Sequence, residues 1–183
     1  MVDAPPATCE RAAMPGDLAV TEVMFQAPED TRWIELRNAS TCRVDIAHVA
    51  VISRRLTPGG ADDTGIVVPI THIVDPGERV VFSQHPSFPV VDDLVADTTA
   101  LGWMFTPEVV FVQRDTVQFQ QLLMPENFAT TTRYARALPE VTCANVDPND
   151  AETWPLSQVA VSPNTVDPGQ TGTPGEPNDT HCP

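Results

Sequence analysis

The sequence predicts an all-β sandwich, and three observations carry that expectation. The 183 residues include 19 prolines, and a proline inside a helix costs about 3 kcal/mol, which excludes long helices. The apolar runs are short, β-branched and separated by turn residues, the pattern of paired strands. Eight of the prolines fall in residues 139–183. Proline disrupts interior sheet pairing, so this segment is expected at an edge or over a face of the sheets. A chain of this length buries roughly 70% of its unfolded surface, enough for a core of its own.

The elements follow in order. Residues 1–16 are rich in proline and alanine and read as an arm. Residues 17–25 (DLAVTEVMF) read as a strand with Leu18 and Val20 in one phase and Val23 and Phe25 in the other. The slip near Thr21-Glu22 predicts a β-bulge. After a turn at 27–30, Arg32 to Arg37 (RWIELR) alternates, with Ile34 and Leu36 on one face. Val44-Asp45-Ile46 and Val49 to Ile52 are further extended runs. Residues 57–65 (TPGGADDTG) read as a loop. Ile66 to Ile70 and Ile73-Val74 are short strands, Asp75-Pro76-Gly77-Glu78 a tight turn, and Arg79 to Ser83 a strand. Residues 84–107 read as irregular. Val109 to Gln113 and Thr116 to Gln121 suggest a hairpin around Arg114-Asp115; Gln118 to Met124 also contains good helix formers, but the β-branched content favours strand. Thr130 to Arg136 reads as another strand. Residues 139–183 read as a long extended segment laid on the domain and anchored by Trp154.

The formal charge is −15, and all ten basic residues are arginine. Such a surface repels phosphate backbones, so nucleic acid is not expected as a partner. No run of 18 apolar residues occurs, so no transmembrane segment is expected. Residues 1–16 have neither a basic start nor an apolar stretch, so no signal peptide is expected there. The cysteines are Cys9, Cys42, Cys143 and Cys182. None lies in a CxxC or a His-interleaved spacing. An even, dispersed set predicts two disulfides and an oxidising compartment; four free cytosolic thiols are the alternative.

The ordered set LAVTEVMF, WIELRN, VDIAHVAVI, VDPGERVVF, Thr130 to Arg133, the late Trp154 and GTPGEPN resembles a bacterial lamin-tail domain. The resemblance runs from about Asp17 to Asn178. It places Glu22, Trp33, Glu35, Leu36, Asn38, Asp45, Pro76, Gly77, Trp154, Pro174, Gly175, Pro177 and Asn178 on matching positions. Thr21 stands where that family usually has Asn, Val49 where it commonly has Trp, and residues 84–125 fit its pattern poorly. The resemblance implies an immunoglobulin-like β-sandwich of lamin-tail type with the Pro-rich C-terminal segment packed on it. It divides the chain into an arm (1–16), the domain (17–178) and a tail (179–183). It also implies an extracellular or envelope setting in bacteria and no catalytic residues. The nucleic-acid partners of nuclear lamin tails do not carry over to so acidic a chain.

A hairpin turning near Glu29-Asp30 sets Asp17 roughly opposite Cys42, so the arm could fold Cys9 back onto Cys42. Cys143 and Cys182 would then tie the long segment down, although four cysteines allow three connectivities. Glu22 and Glu35 fall on neighbouring strands; paired carboxylates suit acid–base chemistry, but a structural role bonding backbone or arginine is the stronger expectation. The histidines are His48, His72, His85 and His181, without HExxH or His-x-His spacing. His72, His85 and Asp75 could converge, yet zinc needs three or four ligands and surface histidines are expected instead. No GxSxG, GxGxxG or P-loop occurs. The acidic loops Asp62-Asp63, Asp92-Asp93 with Asp97, and Asp147, Asn149, Asp150 and Glu152 supply oxygen donors of the kind calcium takes, without an EF-hand spacing. Calcium is therefore the one cofactor the sequence suggests, against solvated acidic loops. Asn38-Ala39-Ser40 and Asn178-Asp179-Thr180 are glycosylation sequons. Trp33, Trp103 and Trp154 could stack on sugars or fill the core.

The expected function is a noncatalytic binding or scaffolding module, secreted or in the cell envelope, with a cell-surface protein or glycan as partner. The alternatives are a calcium- or glycan-binding module, or an accessory domain of a secreted hydrolase.

Overall fold

The computed structural model describes residues 9–24, 31–83, 85–86, 94–96, 108–124, 135–159, 161, 171–178 and 182. Within them the chain is all-β. The strands are β1 (Glu10–Ala12), β2 (Leu18–Met24), β3 (Trp33–Asn38), β4 (Arg43–Asp45), β5 (Val49–Thr57), β6 (Gly60–Val67), β7 (Ile73–Val74), β8 (Arg79–Ser83), β9 (Leu94–Ala96), β10 (Val109–Arg114), β11 (Val117–Leu123) and β12 (Arg136–Ala137). One short 3-10 turn, Ala151–Thr153, is capped by the Asp150 side chain. No helix among the described residues is long and apolar enough to cross a membrane.

Three sheets form. A five-stranded sheet runs β12-β2-β3-β8-β9, a four-stranded sheet β11-β10-β5-β6, and a small one β1-β4-β7. The four-stranded sheet is antiparallel throughout. In the five-stranded sheet only β8 and β9 run parallel. Val20, Ile34, Leu36, Val80 and Phe82 from the larger sheet join Val49, Val51, Ile66, Val110, Val112 and Leu122 from the other in one buried cluster. Each such side chain contributes roughly 1.5–3 kcal/mol on burial, so this shared core is the main stabilising feature.

Strand β3 explains how the rest is built. Its side chains alternate between faces, with Ile34 and Leu36 in the shared core. Trp33 faces the other way, in a second buried cluster with Met24, Val81, Ala135 and Val161. Both faces of the central strand are therefore covered, the reverse one by residues from 135 onward. The bulge expected near Thr21 is present as a register shift between Val20 and Glu22. Beside it, the Val20 amide donates to Gln120 Oε1 at 2.8 Å, which joins β2 to the edge strand of the other sheet.

Several expectations need correction. The supposed arm contributes β1, which pairs parallel with β4. Asp17 sits beside Ala39, whose amide donates to its carbonyl at 2.7 Å, and not opposite Cys42. Residues 57–65 are not a loop: β5 and β6 pair from Ala50↔Val67 to Thr57↔Gly60, and only Pro58-Gly59 turn. Opposite charges explain it, since Arg54 faces Asp63 and Arg55 faces Asp62 across the pair. Acidic residues that read as loop chemistry decorate an edge strand. The strand expected over Ile66 to Ile70 ends at Val67. Residues 84–107, read as irregular, include β9. The hairpin expected at 109–121 is present, with its turn at Asp115-Thr116 and Asp115 at φ 53°. Asp tolerates that left-handed conformation.

Candidate functional site

Glu22 and Glu35 are directly paired across β2 and β3, and both are fully buried. They lie on the reverse face of the five-stranded sheet, beside Trp33. The closing segment docks there. The Thr173 amide donates to Glu22 Oε1 at 3.0 Å, and the Thr173 hydroxyl donates to Glu22 Oε2 at 3.2 Å. The Gly175 amide donates to Glu35 Oε2 at 2.7 Å. The Thr21 hydroxyl, displaced by the bulge, donates to Glu35 Oε1 at 2.5 Å. Asn178 completes the dock: its side-chain amide donates to the carbonyls of Thr21 at 2.9 Å and Leu138 at 2.7 Å.

A close approach fixes the segment's entry. A β-carbon added at Gly172 would stand 2.8 Å from the Trp33 ring and 3.2 Å from Glu22 Oε1. Only glycine fits between the chain and that indole.

Arg79 and Glu140 belong to the same constellation and escaped the sequence reading. Arg79 Nε lies 3.3 Å from Glu35 Oε1 without hydrogen-bond geometry. Its other arm donates to Glu140 Oε1 at 2.5 Å, and Arg37 donates to Glu140 Oε2 at 2.9 Å. The available signal was the pairing of β3 with β8, which sets Arg37 opposite Arg79 and calls for an anion between them. That anion comes from a position 61 residues after Arg79, a distance no local pattern spans.

Burial pushes the Glu35 carboxyl up to about 7. The Thr21 hydroxyl, the Gly175 amide and the Arg79 guanidinium pull it down, and the charge of Glu140 adds to the rise. A carboxyl with such a value suits proton transfer in general. Here both oxygens of Glu35 are occupied by protein donors, and Glu22 is likewise bonded to the closing segment. The arrangement holds backbone.

The cysteines form two bonds, Cys9–Cys42 and Cys143–Cys182, with Cα separations of 4.9 and 5.5 Å. The first locks β1 beside β4, where the Arg43 amide donates to the Cys9 carbonyl. The second joins the region after β12 to the end of the chain. Bonds of this kind form in oxidising compartments.

Among the described residues, the acidic side chains considered for calcium do not gather in a group of three or more. Arg54 holds Asp63 through two contacts of 2.7 Å, which lower its pKa below the usual carboxylate range. Asp62 lies on the same strand, opposite Arg55. Asp147 accepts the Asn149 amide, and Asp150 accepts that of Glu152. Asp92, Asp93 and Asp97 lie outside the described residues. Among the described residues, no three His, Cys, Asp or Glu groups come together as a metal requires. That includes the set considered for zinc. Asp75 is engaged by Arg43 at 2.7 Å, the His72 amide donates to Asp45, and the His85 amide donates to Ser83. His181 lies outside the described residues, and His48 occupies a turn at φ 63°.

The sequon asparagines are consumed by the fold. Asn38 is buried and donates to the carbonyls of Cys42 and Val74 at 2.8 and 3.0 Å. Asn178, as above, spends both amide protons on the dock. Trp33 and Trp154 are buried in the two apolar clusters and present no face for a sugar. Trp154 also donates from Nε1 to the Asp147 carbonyl at 2.7 Å, so it anchors the C-terminal segment. Trp103 lies outside the described residues.

No family model matches the chain, and no curated protein matches it either.

Proposed function

We propose that the chain is an immunoglobulin-like β-sandwich of lamin-tail type and serves as a noncatalytic binding or scaffolding module, secreted or held in the cell envelope. One observation carries the reading. The motifs behind the lamin-tail resemblance, distant in sequence, meet in a single dock: Glu22 of the opening strand, Trp33 and Glu35 of WIELRN, and Thr173 to Asn178 of the closing GTPGEPN. In that dock the paired carboxylates hold the C-terminal segment, a use that favours a structural part over acid–base chemistry. Two disulfides accord with an extracytoplasmic setting. The acidic surface favours contact with proteins or glycans over nucleic acid.

The test is fractionation of the source cells, with thiols alkylated at lysis. Recovery in the medium or envelope fraction with all four cysteines oxidised supports the proposal. Recovery in the cytosol with reduced cysteines overturns it. Turnover of ester, peptide or glycoside substrates by the purified chain, abolished in Glu35→Gln, would overturn the noncatalytic assignment.

A further inference from the structure

Strand β6 is an edge of the four-stranded sheet, and among the described residues only β5 pairs with it. The opposite edge, β11, is covered: the Leu123 amide donates to the Asn149 carbonyl at 2.8 Å, and the Gln120 side chain donates to the Pro148 carbonyl at 3.2 Å. Strand β12, at one edge of the larger sheet, is bridged to Leu156. Along β6, by contrast, Gly60 to Asp63 and Val67 are exposed. No proline or lysine interrupts Gly60–Val67, although these residues commonly protect an edge from pairing with another chain.

The ladder fixes which backbone groups are free. The Val68 amide donates to the Val49 carbonyl at 2.9 Å, and the His48 amide donates to the Val68 carbonyl at 2.8 Å. Bonded and non-bonded pairs alternate along antiparallel strands. Ile66, Thr64 and Asp62 therefore bond to β5, while Val67, Gly65, Asp63 and Ala61 turn their N–H and C=O groups outward.

We propose that β6 pairs antiparallel with β6 of a second copy of this chain, about a two-fold axis at Thr64, joining the two four-stranded sheets into one. Outward groups must meet outward groups, so the axis passes through a residue and not between two. An axis at Asp62 or Asp63 sets that carboxylate against its own copy, and like charges directly opposite repel. An axis nearer Val67 shortens the overlap. The axis at Thr64 pairs all of Ala61 to Val67. It sets Thr64 against Thr64, a favourable pair, Asp63 against Gly65, Asp62 against Ile66, and Ala61 against Val67. Gly65 has no side chain to crowd the incoming Asp63. Its own fold keeps it so, because a β-carbon there would lie 2.7 Å from the Val51 carbonyl oxygen. Charge selects the same edge. The chain carries −15, which opposes self-association over most of its surface. On β6, Arg54 holds Asp63 through two bonds of 2.7 Å, and Arg55 stands opposite Asp62. Two copies therefore meet there with their local charges balanced.

The experiment uses the intact, oxidised chain. Sedimentation equilibrium from about 1 µM to about 1 mM should show the mass rising from 19.8 kDa toward twice that value. Added salt should favour the dimer by screening two like-charged copies. Over the same concentrations, exchange protection of the Asp63, Gly65 and Val67 amides should rise at least tenfold, and that of Thr64 and Ile66, already bonded to β5, should rise less. Thr64 faces its copy in a non-bonded pair, where Cα atoms stand about 4.5 Å apart. Thr64→Cys should therefore link two chains by a disulfide, and Gln118→Cys, exposed on the covered edge β11, should not. Ala61→Pro removes an outward donor and no bond to β5, and should raise the dissociation constant at least tenfold. A dimer that leaves the Gly65 amide unprotected, or equal cross-linking from positions 64 and 118, would overturn the proposal. So would a chain that stays monomeric throughout, even if a peptide from another protein took up the edge. Should Ala61→Pro fail to fold, the wild-type exchange and the link at position 64 still decide it.

Discussion

Arg37 and Arg79 stand directly opposite each other on β3 and β8, and Glu140 bridges them, one carboxylate oxygen to each. Like charges across a strand pair repel, so this register depends on an anion delivered from outside the sheet. The same carboxylate accepts the Asn178 amide at 3.1 Å, which ties the pair to the closing segment. Glu140→Ala should destabilise the fold by about 1–3 kcal/mol, because the Arg79 side chain is only 8% exposed while Arg37 and Glu140 are about one-third exposed and partly screened. Urea unfolding at neutral pH measures it. A loss below the error of the extrapolation would show that the arginines do not need their bridge.

The pH dependence of stability has two limbs of opposite sign. Burial alone would raise Asp45, but the amides of Ala47 and His72 hydrogen-bond its carboxylate and hold it below the ordinary range. A group lowered by folding contributes stability above its unfolded value, and that contribution is lost as pH falls through its folded value. Asp45→Asn should therefore flatten the acid limb below about pH 4. Glu35 is raised, to about 7, so its contribution is full below about 4.5 and is lost as pH rises through 7. The loss is at most on the order of 3 kcal/mol. Denaturant midpoints at pH 5 and 8, for wild type and for Glu35→Gln, separate the limbs. A wild type as stable at pH 8 as at pH 5 would contradict the burial of Glu35.

Much of this architecture was legible in local patterns, because strands leave period-two signals and turns leave Pro and Gly. The phase slip at Thr21-Glu22 announced the bulge, and Asp75-Pro76-Gly77 announced its turn. Charge misled where position decided its meaning. Asp62 and Asp63 read as loop residues, yet they lie in an edge strand opposite two arginines. The dock was half visible. Glu22 and Glu35 stood out as a pair on neighbouring strands, but their partners Thr173 and Gly175 lie 151 and 140 residues away. No spacing rule reaches that far.

Asn38 supplies a test of how the small sheet is fastened to the large one. Its side-chain amide donates to Cys42 and Val74, while its Oδ1 accepts the amide and hydroxyl of Ser40. Its backbone joins in, accepting the Gly77 amide at 2.9 Å. Asn38→Asp keeps the shape but turns the donor into an acceptor facing two carbonyls. The expected cost is about 2–4 kcal/mol, more than for Asn38→Ala, because a buried unpaired charge adds to the lost bonds. Comparison of the two variants by thermal and urea unfolding checks the ranking. Equal destabilisation would mean that the amide donors contribute little.

The two disulfides should be separable in effect though similar in size. They close stretches of 33 and 39 residues, for which the loss of unfolded-chain entropy corresponds to about 4 kcal/mol each. Their structural consequences differ. Replacing Cys9 and Cys42 with Ser should release β1 from β4, seen as lost exchange protection at Arg43, whose amide bonds the Cys9 carbonyl. Protection of the Gly175 amide should persist in that variant. Replacing Cys143 and Cys182 should do the reverse, because it frees the far end of the segment that caps Glu22 and Glu35, while β1 stays paired. Non-reducing peptide mapping of the wild type should return Cys9 with Cys42 and Cys143 with Cys182. Any other pairing, or loss of Arg43 and Gly175 protection together in either variant, would show that the two tethers do not act on separate parts of the fold.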